Sequence, residues 1–288
     1  MRIIPLSIFI LFFLFSCQKE ISYSGGGNAD NVDTSALGKF IAATGITDAT
    51  LKVNLDSLIT RSRNHGWWGQ CQVIYPFAGG TQNSCKYNLK DPRDADDAFR
   101  LNFLGGTWTY TNVVVDPGIS GYGNTFFNPS ARLADQNSCH LSVYSMSDSA
   151  GNVDNGDIGG YDGTTNLGFY LSTRTAWPDT SGKPFAAISK NSFQGAGVNA
   201  RGYFMITKSG NTANFYQNSP EAHSFPVASG NLPDLNLYIC NQNFPAGGDP
   251  YNNGFSHRAL SFATIGSGID SATVVSMYSD ILDFVNRK

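Results

Sequence analysis

The stretch Leu167-Gly168-Phe169-Tyr170-Leu171 alternates large apolar residues with others along five positions. Successive side chains of a β-strand point to opposite faces, so this stretch predicts a strand that buries Leu167, Phe169 and Leu171 together. Further strands are predicted at residues 99–103, 141–144, 203–207, 213–217, 235–239 and 260–265. Turn-forming clusters at residues 148–163 and 241–254 separate strands, and no helical segment comes between them. The pattern predicts an all-β fold, an antiparallel β-sandwich.

Helical periodicity is confined to the two ends of this domain. Residues 35–44 and 47–64 repeat apolar side chains at helical spacing, so we predict an N-terminal helical segment at residues 35–66. A last helix is predicted with Asp270 or Ser271 as its cap, and its apolar stripe consists of Val274, Met277, Tyr278, Ile281, Leu282 and Val285. We expect this stripe to pack across one edge or end of the sandwich, within a single domain of residues 35–288.

The first residues have the pattern of a secretory signal peptide. Arg2 precedes an apolar run at residues 3–15, which is shorter than the ~20 residues that a membrane-spanning helix needs. The run ends in Leu14-Phe15-Ser16-Cys17, which resembles the lipobox of bacterial lipoproteins. The resemblance implies removal of residues 1–16 and attachment of acyl chains to Cys17, which anchor the chain to a membrane. An ordinary signal peptide is the alternative.

Residues 17–34 are rich in Ser, Gly and Asn, and we predict that they form a flexible tether. Gln18 follows the lipobox where some bacterial lipoproteins carry an aspartate that retains them in the inner membrane. We therefore expect the outer membrane, at its periplasmic face or at the cell surface.

The composition excludes one class of partner and fits a turn-rich β protein. Charged residues make up 14% of the chain and its net charge is −3, without a basic stripe, so nucleic acid is not an expected partner. The chain has 31 glycines and 13% aromatic residues, which suits strands with aromatic faces joined by many turns.

Four strings of sequence resemble a known superfamily. They are Tyr75-Pro76-Phe77-Ala78-Gly79-Gly80, Asn88-Leu89-Lys90-Asp91-Pro92, Ala98-Phe99-Arg100-Leu101-Asn102-Phe103 and residues 260–269. Together with the final helix they resemble the concanavalin A-like lectin/glucanase superfamily, the laminin-G-type jelly roll, over residues 36–287. The resemblance implies two packed antiparallel sheets that bind ligands on a concave face or at loop ends, sometimes through calcium. Lectins, adhesion modules and glycosidases share this architecture, so it does not choose a function.

The residues speak against most enzyme classes. Glycosidases of this superfamily usually carry a Glu-x-Asp-x-Glu arrangement, because hydrolysis needs two carboxylates. Beyond the signal peptide the chain has two glutamates, Glu20 and Glu221, and that arrangement is absent. The densest acidic cluster is Asp94, Asp96 and Asp97, which we interpret as a solvated turn. Neither Gly-x-Ser-x-Gly nor His-Glu-x-x-His occurs.

Candidate ligand-binding residues are aromatic side chains near predicted loops or strand ends, with Asn and Asp close by. They are Trp108, Tyr110, Tyr122, Tyr161 and Trp177. Each ring has the alternative of closing the hydrophobic core. A second cluster concentrates acceptor oxygens, and we consider Asp154, Asp157 and Asp162 as calcium ligands. The alternative for these three is a plain polar hairpin that needs no cofactor.

Four cysteines remain after the lipid anchor, and an exported chain can keep disulfides. We favour Cys71 with Cys85, across a segment that could fold back on itself, and Cys139 with Cys240; free buried thiols are the alternative. Zinc is disfavoured because no Cys-x-x-Cys pair is present.

The leading hypothesis for function is a non-catalytic binding module displayed on a membrane, with a carbohydrate or other surface polymer as its ligand. The second hypothesis is a structural or adhesive module that binds a protein. The third is a glycoside hydrolase that uses aspartates, with Asp96 and Asp97 as its candidates.

Overall fold

The computed structural model describes residues 35–151, 155–176, 182–197, 199–218 and 222–287. The signal peptide, the tether, Cys17, Asp154 and Trp177 lie outside these ranges. The α-helices are α1 Ala36–Thr44, α2 Ala49–Asn64, α3 Trp67–Gln70, α4 Gln82–Cys85, α5 Pro129–Arg132 and α6 Ser271–Asn286. The strands are β1 Cys71–Tyr75, β2 Asn102–Leu104, β3 Thr109–Thr111, β4 Val114–Asp116, β5 Tyr122–Asn124, β6 Ser138–Ser145, β7 Ile158–Asp162, β8 Leu167–Ser172, β9 Phe185–Ser189, β10 Asn191–Gln194, β11 Gly202–Ser209, β12 Thr212–Gln217, β13 Ala222–Pro226, β14 Tyr238–Ile239 and β15 Leu260–Gly266.

The strands form two antiparallel sheets, which confirms the predicted all-β sandwich. The eight-stranded sheet has the order β13-β12-β11-β6-β15-β4-β3, and β1 also pairs with β15. The seven-stranded sheet has the order β10-β9-β8-β7-β14-β5-β2. The chain crosses between the sheets on either side of β2, β5 and β14, and also from β6 to β7 and from β10 to β11.

Two hydrophobic cores follow from this arrangement. The first core lies between the sheets and includes Phe204 and Ile206 of β11 with Phe169 and Leu171 of β8. The second core joins the other face of the eight-stranded sheet to the long helices. Strand β15 is buried at all seven positions because it contributes to both cores. The molecule is therefore three layers thick on this side: helices, sheet, sheet.

The three long helices begin and end close to the predicted residues. The side chain of Ser35 accepts a hydrogen bond from the Gly38 amide to cap α1, and Gly45 ends it with a left-handed backbone. Helix α2 is capped by Asp48, whose side chain accepts from the Leu51 amide, one residue after the predicted start at residue 47. Helices α3, α4 and α5 were not predicted, because four residues are too few to show helical periodicity. Among the described helices, none has the length and apolar character to span a bilayer.

The position predicted for the last helix is wrong in one respect. Helix α6 covers a face of the eight-stranded sheet, not an edge or end of the sandwich, and its Phe284 ring lies 5.9 Å from that of Phe262 in β15. The buried carboxylate of Asp280 fixes this position, because it accepts hydrogen bonds from Arg61 Nε, His65 Nδ1 and Trp67 Nε1 at 2.7, 2.7 and 2.9 Å.

Two predicted strands are shorter than expected. Residues 99–103 contribute only their end to β2, because Phe99 has a left-handed backbone with φ of 60°. Residues 235–239 contribute only Tyr238–Ile239. The turn cluster at residues 148–163 also contains β7, which its many glycines and aspartates obscured.

The predicted disulfides are not formed in the structure, where all four cysteines are free and buried. Cys71 belongs to the core under the helices and Cys85 to the core between the sheets, so they face different layers. Cys139 lies on β6 of the eight-stranded sheet, whereas Cys240 follows β14 of the other sheet. The alternative of free buried thiols describes the structure.

Candidate functional site

The seven-stranded sheet has an outer face that no helical layer covers among the described residues. In β8 the side chains of Phe169 and Leu171 enter the core, so Gly168 and Tyr170 point outward. In the same way Tyr161 of β7 points outward because Ile158 is buried, and Phe185 of β9 points outward because Ala186 is buried.

Five partly exposed rings form a continuous row that we call the aromatic strip. Its members, in order, are Phe185, Tyr170, Tyr161, Phe244 and Tyr251. Ring centroids of neighbours are 5.6, 6.4, 5.4 and 5.0 Å apart along this row. Three rings come from strands and two from the loop after β14. A rigid sheet thus holds most of the strip.

The residues on the sheet surface between the rings have small side chains. Gly168 pairs with Tyr161 on one side and with Ser189 on the other, and Ala187 pairs with Tyr170. A Cβ atom on Gly168 would lie 2.8 Å from the Cβ of Ala187 and 3.4 Å from the Tyr170 ring. Glycine at this position therefore leaves the Tyr170 ring in its place on the strip.

Polar groups border the strip. Gln194 of β10 pairs with Phe185, and its Nε2 atom is buried without a hydrogen-bond partner among the described residues. At the other side Tyr161 Oη donates to Asn166 Oδ1 at 2.8 Å. A row of rings bordered by amides can bind a molecule that has an apolar face and a rim of hydroxyl groups.

A second group of rings on this sheet is more deeply covered. The ring of Tyr122 in β5 lies 5.2 Å from that of Tyr238 and 6.3 Å from that of Phe255. Tyr238 is 6% exposed and its Oη donates to Asp249 Oδ1 at 3.1 Å. Burial and the nearby Asp249 carboxylate both raise the pKa of Tyr238, so its hydroxyl stays protonated. This group holds the loop that carries the last two rings of the strip.

The structure separates the five aromatic residues predicted to bind a ligand. Tyr122 and Tyr161 lie on the outer face of the seven-stranded sheet, and Tyr161 belongs to the strip. Trp108 and Tyr110 stack on each other with centroids 6.2 Å apart, and both pack against Phe103 of the core between the sheets. These two close the core edge instead, which was the alternative. Trp177 lies outside the described residues.

Sequence reasoning missed the other four rings of the strip. A signal for Tyr170 was available, because it stands between Phe169 and Leu171, whose burial turns Tyr170 to the surface. Phe185 has the same relation to Ala186. Nothing in the local sequence brings Phe244 and Tyr251 to this face, since the fold of a long loop places them there.

The two described aspartates of the calcium prediction lie at opposite ends of β7. Five residues of extended chain separate Asp157 from Asp162, which is about 16 Å. Asp157 is fully buried and paired with Arg258, while Asp162 accepts hydrogen bonds from the Thr164 amide and Thr165 Oγ1. The two therefore cannot share one ion. Within the described ranges no group of three or more His, Cys, Asp or Glu side chains is arranged to hold a metal.

The Arg258–Asp157 pair fixes the loops beside the strip. Arg258 Nε donates to Asp157 Oδ1 at 2.7 Å, and the same guanidinium donates to the carbonyls of Ser149, Ala150 and Arg174. Asp157 also accepts from the Thr173 amide at 2.6 Å. One buried cation thus joins three loops at one end of the sandwich.

The carboxylates considered for hydrolysis are in an exposed turn, as we interpreted them. Asp96 pairs with Arg100 at 2.9 Å, Asp97 with Arg93 at 3.3 Å, and Asp94 with Lys86 at 2.8 Å. A cysteine and a histidine also meet, with 3.8 Å between Cys71 Sγ and His140 Nε2. Both are buried, and desolvation raises the pKa of Cys71 to about 12, which keeps this thiol protonated.

No family model matches the sequence, and no curated protein matches it. Among solved structures the chain is similar to domain 4 of AbnA, a GH43 extracellular arabinanase from Geobacillus stearothermophilus, in complex with arabinotriose. The identity is 12%, 73% of this chain and 98% of that domain are covered, and the TM-score is 0.48. It is also similar to a GH54 α-L-arabinofuranosidase, at 11% identity over 80% of this chain and 65% of that one, with a TM-score of 0.46.

A third similar structure is the Trypanosoma rangeli sialidase, at 10% identity and a TM-score of 0.43. The match covers 72% of this chain and 32% of the sialidase, so the chain spans about a third of that enzyme.

Proposed function

We propose that this protein is a non-catalytic carbohydrate-binding domain and that the aromatic strip is its binding surface. The observation that carries the proposal is the continuous row of five partly exposed rings on one sheet face. Sugar rings have apolar C–H faces and hydroxyl edges, so they suit flat aromatic surfaces bordered by amides. Exposing several rings together costs solubility without giving stability, which favours a binding role.

The strip fits an extended glycan better than a single sugar. A ligand that covers several rings can gain stacking from each, while the glycine and alanine floor leaves room for it to lie flat. The two loop rings, Phe244 and Tyr251, meet each other edge-on at 89° and would form the end of the surface.

The test is a glycan array followed by titration calorimetry with the polysaccharides that the array selects. We expect Tyr170→Ala and Phe185→Ala each to weaken binding about 5- to 30-fold, since truncating an aromatic contact costs about 1–2 kcal/mol. Tyr278→Ala is the matched control, because Tyr278 packs on Tyr203 in the helical layer on the opposite side of the sandwich. Absence of binding across the array, or equal losses in all three variants, would overturn the proposal.

We also propose that the domain is displayed on a membrane through acyl chains on Cys17. The support is the lipobox-like sequence that ends at Cys17, with the Ser- and Gly-rich residues that follow it. Two or three chains hold a domain firmly because each buried CH₂ contributes about 0.8 kcal/mol. Mass spectrometry of the mature N-terminus should find acylated Cys17 in cell membranes, and Cys17→Ser should release the domain to the soluble fraction. An unmodified N-terminus at another residue would refute lipid anchoring.

A further inference from the structure

A pocket lies at the junction of the β8 and β9 strands with the loop after β13. Its volume is about 480 Å³, and its lining consists of Thr165, Leu167, Ser189, Lys190, Ala228, Ser229, Gly230 and Asn231. Ser189 pairs with Gly168, which in turn pairs with Tyr161 of the strip. Gly168 therefore lies between a pocket residue and a strip residue in the sheet, and it has no side chain.

Two lysines give the pocket a positive charge. Lys190 lines it and is exposed, and no ion pair of this side chain occurs among the described residues. Lys208 reaches the same place from the eight-stranded sheet and is fully buried. Its Nζ atom donates to Asn137 Oδ1 at 3.1 Å, to the Ala228 carbonyl at 3.2 Å and to Ser189 Oγ at 3.5 Å.

The three acceptors of Lys208 are neutral, and no carboxylate of the described residues lies within 4.0 Å of its Nζ. Desolvation lowers the pKa of Lys208, while Cys139 and the Asp135 carboxylate act on it in the opposite direction. Ser189 and Ala228, which accept from Nζ, both line the pocket.

The nearby carboxylates are turned to other partners. Asp162, which pairs with Leu167, accepts from the Thr164 amide and Thr165 Oγ1 within its own turn. Asp135 accepts from the Asn137 amide at 2.8 Å and is exposed. The cavity is therefore the place where an incoming anion would meet a positive field between low-dielectric walls.

We propose that this pocket binds an anionic substituent, a carboxylate or sulfate, of a glycan that lies on the aromatic strip. The inference rests on the proposed function and adds the substrate class: the ligand is an acidic polysaccharide. Lys190 contacts the anion, Lys208 stabilises it through the pocket wall, and the strip stacks the sugar rings.

The test compares pairs of polymers that share a backbone: polygalacturonate with its methyl ester, and chondroitin sulfate with desulfated chondroitin. Titration calorimetry uses the purified full-length protein in detergent at low and high salt. We expect one acidic form to bind up to about fivefold more tightly than its partner at low salt, since an exposed ion pair contributes up to about 1 kcal/mol. High salt should reduce this preference, because it screens the exposed lysine.

Variants separate the pocket from the strip. Lys190→Gln and Lys208→Met should each remove most of the acidic preference and leave binding of the uncharged partner unchanged, while Lys39→Gln on α1 should change neither. Retained binding of the uncharged polymer also shows that Lys208→Met is folded. Tyr170→Ala should weaken both forms alike.

Equal or tighter binding of the uncharged forms by the unmodified protein would overturn the acidic preference and leave the strip as a glycan site. Binding of neither form in both pairs would overturn the acidic preference too. Loss of glycan binding across the whole array would overturn the proposed function itself.

Discussion

Replacing Arg258 with methionine should destabilise the domain more than the loss of any exposed ion pair. The guanidinium is fully buried and donates to the carboxylate of Asp157, which is also fully buried. Methionine keeps most of the volume but leaves Asp157 with the Thr173 amide as its remaining donor among those found in the structure. The carbonyls of Ser149, Ala150 and Arg174 lose a donor at the same time.

Removing one partner of a buried pair costs about 3–5 kcal/mol, because the other charge stays buried without compensation. Each carbonyl that water cannot reach adds about 1–3 kcal/mol. Loop movement admits water and recovers part of this, so we expect a total loss of about 4–6 kcal/mol. In a domain of this size each kcal/mol lowers Tm by about 2–4 °C, which predicts a fall of about 8–24 °C.

The assay is urea unfolding followed by tryptophan fluorescence, with a thermal scan in parallel. Arg174→Met is the matched control, since Arg174 pairs with Asp148 at 3.0 Å and both side chains are about a third exposed or more. An exposed pair contributes at most about 1 kcal/mol. A loss below about 1 kcal/mol for Arg258→Met, or a loss no larger than that of the control, would refute the assignment of Arg258 as the residue that joins these loops.

Three further predictions concern buried polar groups. Desolvation lowers the pKa of His140 to about 4, below its usual 6.5, so stability is fully present above pH 6.5 and falls by about 3 kcal/mol as pH drops to 4. Unfolding titrations from pH 7 to 4 check this, and His140→Asn should flatten the profile. Asp280→Asn should cost about 2–4 kcal/mol in urea unfolding, because Arg61 loses its buried carboxylate; no change would show that α6 is held by packing alone. The thiols of Cys71, Cys85, Cys139 and Cys240 should resist a thiol reagent at pH 8 and react only after denaturation, because burial raises their pKa values. If these four thiols also fail to react in the denatured protein, the cysteines form disulfides instead.

Much of the fold was open to prediction from the sequence. The alternation at residues 167–171 and 203–207 predicted strands that the structure contains, because a half-buried strand imposes its period on the residues directly. The helix caps were equally local. The prediction was wrong where the backbone leaves the strand region at a residue that gives no sign of it, as Phe99 does.

The candidate site was less open to prediction. Tyr161 was chosen for its aromatic character, and the structure places it in one strip with four other rings, two of which it contacts. Trp108 and Tyr110 were chosen on the same grounds and close the core. An aromatic residue near a strand end has the same local sequence whether it lies on the exposed strip or closes the core. Its role depends on whether residues of the opposite sheet pack against it.

The sequence by itself determined the long helices and several of the strands, because the periods of two and 3.6 depend on neighbours along the chain. It also determined the signal-like N-terminus and the scarcity of glutamate. The tertiary structure decided which elements meet. It placed the helices over one sheet face, which buries β15 on both sides, and left the opposite face of the sandwich for the strip. It also brought Lys208 of one sheet to Ser189 of the other. Contacts of this kind depend on residues far apart in the chain, and no local pattern encodes them.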